Sequence, residues 1–177
     1  MVSNLVIEPK RIGIALSVFN KVTEIKANVE MIRTWECDPF ISICCNDPAS
    51  YEEILKLNVD SVVLGRQLPT SPKTFLRQRA WDCIKTSITN CMSEYIVHWH
   101  ADAYCLKEQE IIKIVDQMEK ERYYVSFRGR GLDYRNGKCQ YGDIDDHFLF
   151  FNGNNARSND FFNIPDKELM FFLVNYN

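Results

Sequence analysis

The segment YIVHWHAD, residues 95–102, lies near the middle of this 177-residue chain and ends in a carboxylate. Its apolar start, Tyr95 to Val97, is typical of a β-strand. In open α/β sheets, ligands bind beyond the carboxyl ends of the strands, so a strand that delivers an acidic side chain there is suited to a metal or ligand site. The segment therefore predicts a binding or catalytic domain with Asp102 at its site.

The sequence on both sides of this segment alternates between strand and helix patterns. Nearly continuous apolar runs over 11–20 and 40–45 are typical of parallel strands that are covered on both faces. The other predicted elements are helices over 22–35 and 51–57, a helix starting near Thr70-Ser71-Pro72, a helix around 111–118, and strands over 61–64, 123–127 and 148–151. This alternation implies parallel βαβ units. We predict a three-layer α/β/α sandwich with a mainly parallel central sheet, forming one domain over residues 1–177, alone or within a longer protein.

Composition restricts the function classes further. The net charge of -3 and the pI near 5.7 come from interspersed charges without a basic run, so nucleic acid is not an expected partner. Seven cysteines without a CxxC pair are expected to be small buried side chains in a reducing compartment. The N-terminus lacks a signal-peptide pattern, and no apolar stretch reaches 18 residues. We expect a cytoplasmic protein, free or peripheral at a membrane, without a membrane span.

Four motifs stand in the order found in one enzyme family. They are Ser17-Val18-Phe19-Asn20 at the end of the first strand, Asn46-Asp47 at the end of the second, Leu76-Arg77-Gln78 on the helix before the central strand, and the 95–102 segment itself. Over roughly residues 10 to 151 the chain resembles the catalytic domain of GT-A-fold nucleotide-sugar glycosyltransferases of the family-2 kind, whose fold is Rossmann-like. In that family the metal strand ends in Asp-x-Asp.

The resemblance implies a function and a set of site residues. The implied activity is transfer of a sugar from a UDP- or GDP-sugar to a glycan or lipid-linked acceptor, with Mn²⁺ or Mg²⁺ bound at the strand end. The implied metal ligands are His100 and Asp102. The implied donor-nucleotide residues are Ser17, Phe19, Asn46, Asp47, Arg77 and Gln78.

This chain departs from the family pattern at the metal motif, where His100 stands in place of the first Asp. Imidazole binds Mn²⁺ better than it binds Mg²⁺, which favours Mn²⁺ with a weaker affinity than two carboxylates give. For the base that deprotonates the acceptor hydroxyl, the acidic group over 142–147 offers Asp146 as the candidate. The alternative interpretation of that group is a solvated loop.

Several rival interpretations remain at this stage. A glycosyltransferase-like domain lacking one carboxylate could bind a nucleotide or glycan without turnover. Because His98, His100 and Asp102 alternate, a strand would point all three to one face, and two His with one carboxylate is a ligand set of metal oxygenases. Such an oxygenase normally has an all-β barrel, whereas these segments alternate strand and helix. The His-x-His-x-Asp spelling is also found in metallo-hydrolases, but their sites need additional histidines, and this chain has only His147 left. Asp102 could also be a helix N-cap, and His100 an ordinary hydrogen-bonded histidine.

Overall fold

The structure, a computed structural model, describes residues 9–67, 73–129, 133–135, 138–140 and 144–158. In chain order its elements are β1 (Lys10–Val18), α1 (Val22–Ile32), β2 (Phe40–Cys45), α2 (Pro48–Ile54), β3 (Ser61–Leu64), α3 (Lys73–Thr89), β4 (Ser93–His100), α4 (Glu108–Glu121), β5 (Val125–Gly129), β6 (Asp133–Arg135), β7 (Lys138–Gln140), β8 (Ile144–Asn152) and α5 (Gly153–Ser158). The predicted start of α3 at Thr70-Ser71-Pro72 falls outside the described residues.

Six of the strands form one sheet in the order β3-β2-β1-β4-β8-β5. The strands β3, β2, β1 and β4 are mutually parallel, while β8 lies antiparallel between β4 and β5. The strands β6 and β7 pair as a separate antiparallel hairpin. The predicted mainly parallel sheet is therefore confirmed, with one antiparallel strand that the sequence pattern did not distinguish.

Helices cover both faces of the sheet. On one face, Ile14 and Leu16 of β1 pack in a buried cluster with residues of α1, α2 and α4. On the other face, Ala15 packs with Ile84 and Ile88 of α3, together with residues of α5. Successive strand side chains point to opposite faces, which explains why neighbours in β1 belong to different clusters. The predicted three-layer α/β/α sandwich is confirmed.

Two boundaries differ from the sequence-based prediction in a way that bears on function. The central strand β4 ends at His100, so Asp102 lies in the turn that follows it. The helix α4 begins at Glu108 with Lys107 as its N-cap residue, so the alternative of Asp102 as the N-cap of that helix is wrong. Within the part of the chain that the structure describes, no helix is both long and apolar enough to cross a membrane.

The helix α2 begins earlier than predicted because Asp47 caps it. The carboxylate of Asp47 accepts hydrogen bonds from the backbone N–H of Ser50, at 3.0 Å, and from the Ser50 hydroxyl. These hydrogen bonds, the side-chain bond first, lower the pKa of Asp47 below its ordinary value. A side chain that satisfies an otherwise unpaired N–H at a helix start stabilises the helix.

Removing this cap has a predicted pH signature. We expect Asp47→Ala to lower the free energy of unfolding by about 1 kcal/mol at neutral pH. Because the folded-state pKa is lowered, this contribution is complete above the ordinary Asp pKa and is lost as pH falls through the lowered value. Chemical denaturation across pH 7 to 2 would measure it, with exposed Glu52→Ala on the same helix as control. A difference from wild type that does not change with pH would contradict the capping role.

Candidate functional site

The carboxyl ends of β1 and β4 bring two of the predicted site residues together. In the register of this parallel pair, Ser17 stands opposite His100 and Ala15 opposite His98. The backbone N–H of Ala101 also donates to the carbonyl of Ser17 at 3.1 Å. Since Ala15 faces α3, alternation places Ser17 on that same face of the sheet. The strand end therefore presents Ser17 and both histidines toward the α3 layer.

The hydroxyl of Ser17 lies between the two histidine rings. Its Oγ is 2.9 Å from His100 Nδ1 and 3.2 Å from His98 Nε2. The two rings meet edge to face with centroids 5.4 Å apart. His98 and Ser17 are buried, whereas His100 is half-buried at the end of the strand. The sequence predicted a nucleotide contact for Ser17. The structure shows two contacts of Ser17 with histidines, which the sequence did not indicate.

A second group of residues lies at the end of β2, next to α3. The side-chain Nδ2 of Asn46 donates to the carbonyl of Arg79 at 2.8 Å, and Arg79 Nη2 donates to the carbonyl of Asn46 at 3.0 Å. The guanidinium carbon of Arg79 lies 4.8 Å from the ring centroid of Phe19, a cation–π geometry. Arg79 is 6% exposed and Phe19 is 46% exposed. The aromatic ring is therefore held by a buried cation and still reaches solvent.

Arg79 contacts two of the predicted site residues, Asn46 and Phe19, and the sequence-based prediction missed it. The family motif pointed to Arg77 and Gln78 on the same helix, and Gln78 is half-buried there. A signal was present, because 79 is four residues before Cys83, which lies on the buried face of α3. Helical spacing would therefore have selected Arg79 over Arg77, whose side chain lies outside the described residues.

The amide of Asn46 leaves one acceptor for a ligand. Its Oδ1 is buried and has no hydrogen-bond partner in the described part of the chain. It lies so close to Gly65 that a Cβ at that position would come within 2.2 Å of it. A buried carbonyl oxygen without a donor costs free energy, which makes this atom a candidate acceptor for an N–H of a bound molecule. The neighbouring Asp47, by contrast, uses its carboxylate to cap α2.

Asp102 lies beyond His100 in the turn after β4, with its side chain 52% exposed. Burial alone would raise its pKa, but the hydrogen bond and charge of Lys21, with a contribution from His100, lower the pKa below the ordinary Asp value. The ammonium of Lys21 is 3.3 Å from its Oδ2 and also 4.0 Å from Glu24. Asp102 is therefore an ionised carboxylate that already faces a cation.

The turn that carries Asp102 is anchored by a buried asparagine of α1. Asn28 Nδ2 donates to the carbonyl of Ala101 at 2.9 Å, and Asn28 Oδ1 accepts from the indole Nε1 of Trp99 at 3.1 Å. Asn28 and Trp99 are fully buried. Asn28 thus holds Trp99 and Ala101, the residues before and after His100, and so anchors the turn that carries Asp102.

At this strand end, His100 and Asp102 are the two residues that could hold a divalent metal. A carboxylate and an imidazole are present, and the ammonium of Lys21 shows that a positive charge fits beside Asp102. Metals such as Mg²⁺ often use one or two protein ligands and complete their shell with water and phosphate oxygens. Among the described residues, no three His, Cys, Asp or Glu side chains form a group that could hold a metal. His98, His100 and Asp102 therefore do not form the oxygenase ligand set.

The candidate base lies on the antiparallel strand beside β4. Asp146 belongs to β8, and its side chain lies outside the described residues. Leu149 of β8 pairs with His98 of β4. This pairing ends at Leu149, and β8 then pairs with β5 through a register shift between Leu149 and Ile144. Asp146 lies in this irregular part of β8.

A cavity of about 570 Å³ lies elsewhere, on the α4 face of the sheet. Its lining is mainly apolar and consists of Tyr104, Cys105, Leu106, Lys107, Glu110, Ile111, Ile114, Ser126, Phe148 and Phe150. Phe150 belongs to the cluster on the face opposite to Ser17 and the histidines. This cavity is therefore separate from the strand-end residues described above.

The sheet order and the helices on both of its faces define a Rossmann-like α/β fold. No family model matches the sequence, and no curated protein matches it. The chain is similar in structure to a CMP-2-keto-3-deoxy-manno-octonic acid synthetase complexed with CTP, with a TM-score of 0.57 and 7% identity over 93% of this chain and 86% of that one.

Two further structures share the fold. Residues 1–349 of TarS from S. aureus give a TM-score of 0.55 at 10% identity, over 92% of this chain and 53% of that one. The bifunctional IspDF from Campylobacter jejuni gives a TM-score of 0.56 at 6% identity, over 92% of this chain and 47% of that one. This chain thus spans about half the length of these two proteins. At such low identities the similarities show the fold alone.

Proposed function

We propose that this chain is a glycosyltransferase that binds a UDP- or GDP-sugar at the carboxyl ends of β1, β2 and β4 and transfers the sugar to a glycan or lipid-linked acceptor. The observation that carries the proposal is the unpaired, buried Oδ1 of Asn46, a residue that is bonded to Arg79, which also contacts the ring of Phe19. The fold shared with the CTP-bound synthetase and with TarS supports a nucleotide ligand at this edge.

In this proposal the nucleobase stacks on the exposed part of Phe19 and donates an N–H to Asn46 Oδ1. Uracil and guanine both carry such a ring N–H donor. Arg79 fixes the Phe19 ring from the protein side and fixes Asn46 through the two hydrogen bonds. The other proposed members of the donor site are Ser17, Asp47, Arg77 and Gln78. The carboxylate of Asp47 caps α2.

We further propose that His100 and Asp102 hold Mn²⁺, or Mg²⁺ with lower affinity. The metal supplies charge neutralisation at the diphosphate leaving group when it is bound. Asp102 provides the anionic ligand, and the imidazole of His100 is the reason to prefer Mn²⁺. Lys21 must release Asp102 when the metal binds, and its ammonium is then free to contact a phosphate oxygen.

Asp146 is the proposed base for the acceptor hydroxyl. The position of Asp146 on β8, the strand that pairs with β4, supports this choice. The second candidate function is a nucleotide- or glycan-binding domain without turnover. The observation in its favour is His100 itself, which replaces a metal-binding carboxylate by a neutral, softer ligand.

Turnover separates the two functions. Incubation of the chain with UDP- and GDP-sugars and Mn²⁺, followed by ³¹P NMR, is expected to show slow release of the nucleoside diphosphate as water replaces the acceptor. Asp146→Asn is expected to slow this release, while Asp145→Asn serves as the matched control on the next residue of β8. Binding of a nucleotide-sugar without any release would favour the binding domain, and equal effects of the two substitutions would remove Asp146 as the base.

A further inference from the structure

Gly65, the residue that follows β3, lies against the unpaired acceptor of Asn46. A Cβ at position 65 would come within 2.2 Å of Asn46 Oδ1, 3.3 Å of Asn46 Cγ and 3.1 Å of Cys44 Sγ. The φ angle of Gly65 is not in the left-handed region, so the position does not require glycine for its conformational freedom. It requires glycine because the amide of Asn46 occupies the space that a side chain would fill.

The amide of Asn46 is held between two segments of backbone. On one side, the N–H of Gly65 donates to the carbonyl of Cys45 at 2.7 Å, and its own carbonyl accepts from Gln67 Nε2 at 2.8 Å. On the other side, Asn46 Nδ2 donates to the carbonyl of Arg79 at 2.8 Å. Because a carbonyl oxygen only accepts, this bond fixes which amide atom is the donor and leaves Oδ1 on the side of Gly65.

We propose that Gly65 is a specificity-determining residue of the donor site. Its lack of a side chain keeps Asn46 Oδ1 in place to accept the ring N–H of uracil or guanine. A side chain at position 65 turns the amide away, and the site then loses its preference for a base that carries this N–H. The inference rests on the proposed function for the role of Asn46 toward a nucleobase, whereas the packing of Gly65 against Asn46 does not need a nucleotide.

The first test measures this packing in the protein alone, by urea denaturation. Gly65→Ala is expected to lower the denaturation midpoint, and to lower it less in the background of Asn46→Ala, where the amide atoms that a Cβ would meet are absent. The fold is expected to persist because the added Cβ meets the ends of side chains and not backbone. Equal shifts in the two backgrounds, or a Gly65→Ala chain that folds in neither, would overturn the proposal.

The second test uses UDP and N3-methyl-UDP as probes in calorimetric titrations with Mn²⁺, or GDP and N1-methyl-GDP if the chain prefers guanosine. The methyl group replaces the ring N–H. We expect wild type to bind the unmodified nucleotide about 10-fold more tightly, the usual effect of one hydrogen bond. Gly65→Ala and Asn46→Ala are expected to bind the two probes almost equally. This ratio reports on the acceptor and is not changed by a general loss of stability.

The matched control is Gly13→Ala. A Cβ at position 13 would come within 2.3 Å of Cys91 Sγ and 2.7 Å of Ser93 Oγ, so this glycine is crowded by side chains to the same degree as Gly65. It lies opposite the first residue of β2, whereas Asn46 follows the last one, so it is remote from the strand ends. We expect Gly13→Ala to keep the 10-fold preference of wild type.

The outcomes separate this inference from the proposed function. If wild type shows the preference and folded Gly65→Ala keeps it, the role of Gly65 is wrong and the donor site stands. Equal loss of the preference in Gly13→Ala would also overturn the role of Gly65. If wild type binds both probes equally, Asn46 does not read the ring N–H, and this inference fails. If wild type binds no nucleotide, the proposed function fails together with it.

Discussion

The substitution Asp102→Ala is expected to weaken the binding of a UDP- or GDP-sugar in the presence of Mn²⁺ by about 100-fold, or about 2.8 kcal/mol. The physical reason is the loss of the only anionic ligand proposed for the metal, which leaves His100 as a single neutral ligand. The fold is expected to persist because the side chain is half exposed and its ion pair with Lys21 lies near the surface. Calorimetric titration of both proteins would measure the difference.

A control for this experiment is Asp116→Ala. Asp116 is similarly exposed and also pairs with a cation, Arg11, but it lies on α4 away from the strand end. We expect its removal to leave donor affinity unchanged. An unchanged affinity of Asp102→Ala for the donor with Mn²⁺ would exclude Asp102 from the site. Adding excess chelator to wild type should reproduce the affinity of Asp102→Ala if both act through the metal.

The second large effect is expected from Asn28→Leu, which affects stability and the site together. The change leaves the indole N–H of Trp99 and the carbonyl of Ala101 buried without their partner. Each such group costs about 1–3 kcal/mol, so we expect the free energy of unfolding to fall by roughly 2–4 kcal/mol. Donor affinity should fall as well, because the turn that carries Asp102 loses its anchor to α1. Denaturant unfolding and donor titration would measure the two effects.

A double-mutant cycle tests the cause. Trp99→Phe keeps a buried aromatic ring but removes the N–H that donates to Asn28. In the background of Trp99→Phe, we expect Asn28→Leu to cost about 1 kcal/mol less than in wild type, since one of the two orphaned groups is already absent. Strictly additive effects would show that the hydrogen bond does not carry the stabilisation. Unchanged donor affinity of folded Asn28→Leu would show that the anchor does not position Asp102.

The fold was predictable because its information is local. Apolar runs and helical spacing located the strands and most helices, and β2 and β3 have the predicted bounds of 40–45 and 61–64. The antiparallel direction of β8 was not predictable, since a fully buried strand has the same apolar pattern in either direction. The segment 153–158 is rich in Asn and has low helix propensity, yet it forms α5, because Ala156 packs in the buried cluster of the α3 face.

The site was predictable only in part because its geometry depends on contacts between elements. The sequence indicated the strand ends, and the structure brings Ser17, Phe19, Asn46, His100 and Asp102 to that edge. It could not show that Ser17 bridges two histidines, because a register between strands separated by about 80 residues is not written in local patterns. Arg79 was missed because a motif was matched by position along the chain and not by helix face.

We have proposed that the strand-end edge of this sheet binds a nucleotide-sugar with the help of a divalent metal. The most direct test is calorimetric titration of the chain with UDP, GDP, CTP and the corresponding sugar nucleotides, first with Mn²⁺ and then with excess chelator. We predict binding of a uridine or guanosine nucleotide-sugar that is lost with chelator and in Asp102→Ala. Preferred binding of CTP would point to nucleotidyl transfer, and the absence of binding to every nucleotide would contradict the proposed function.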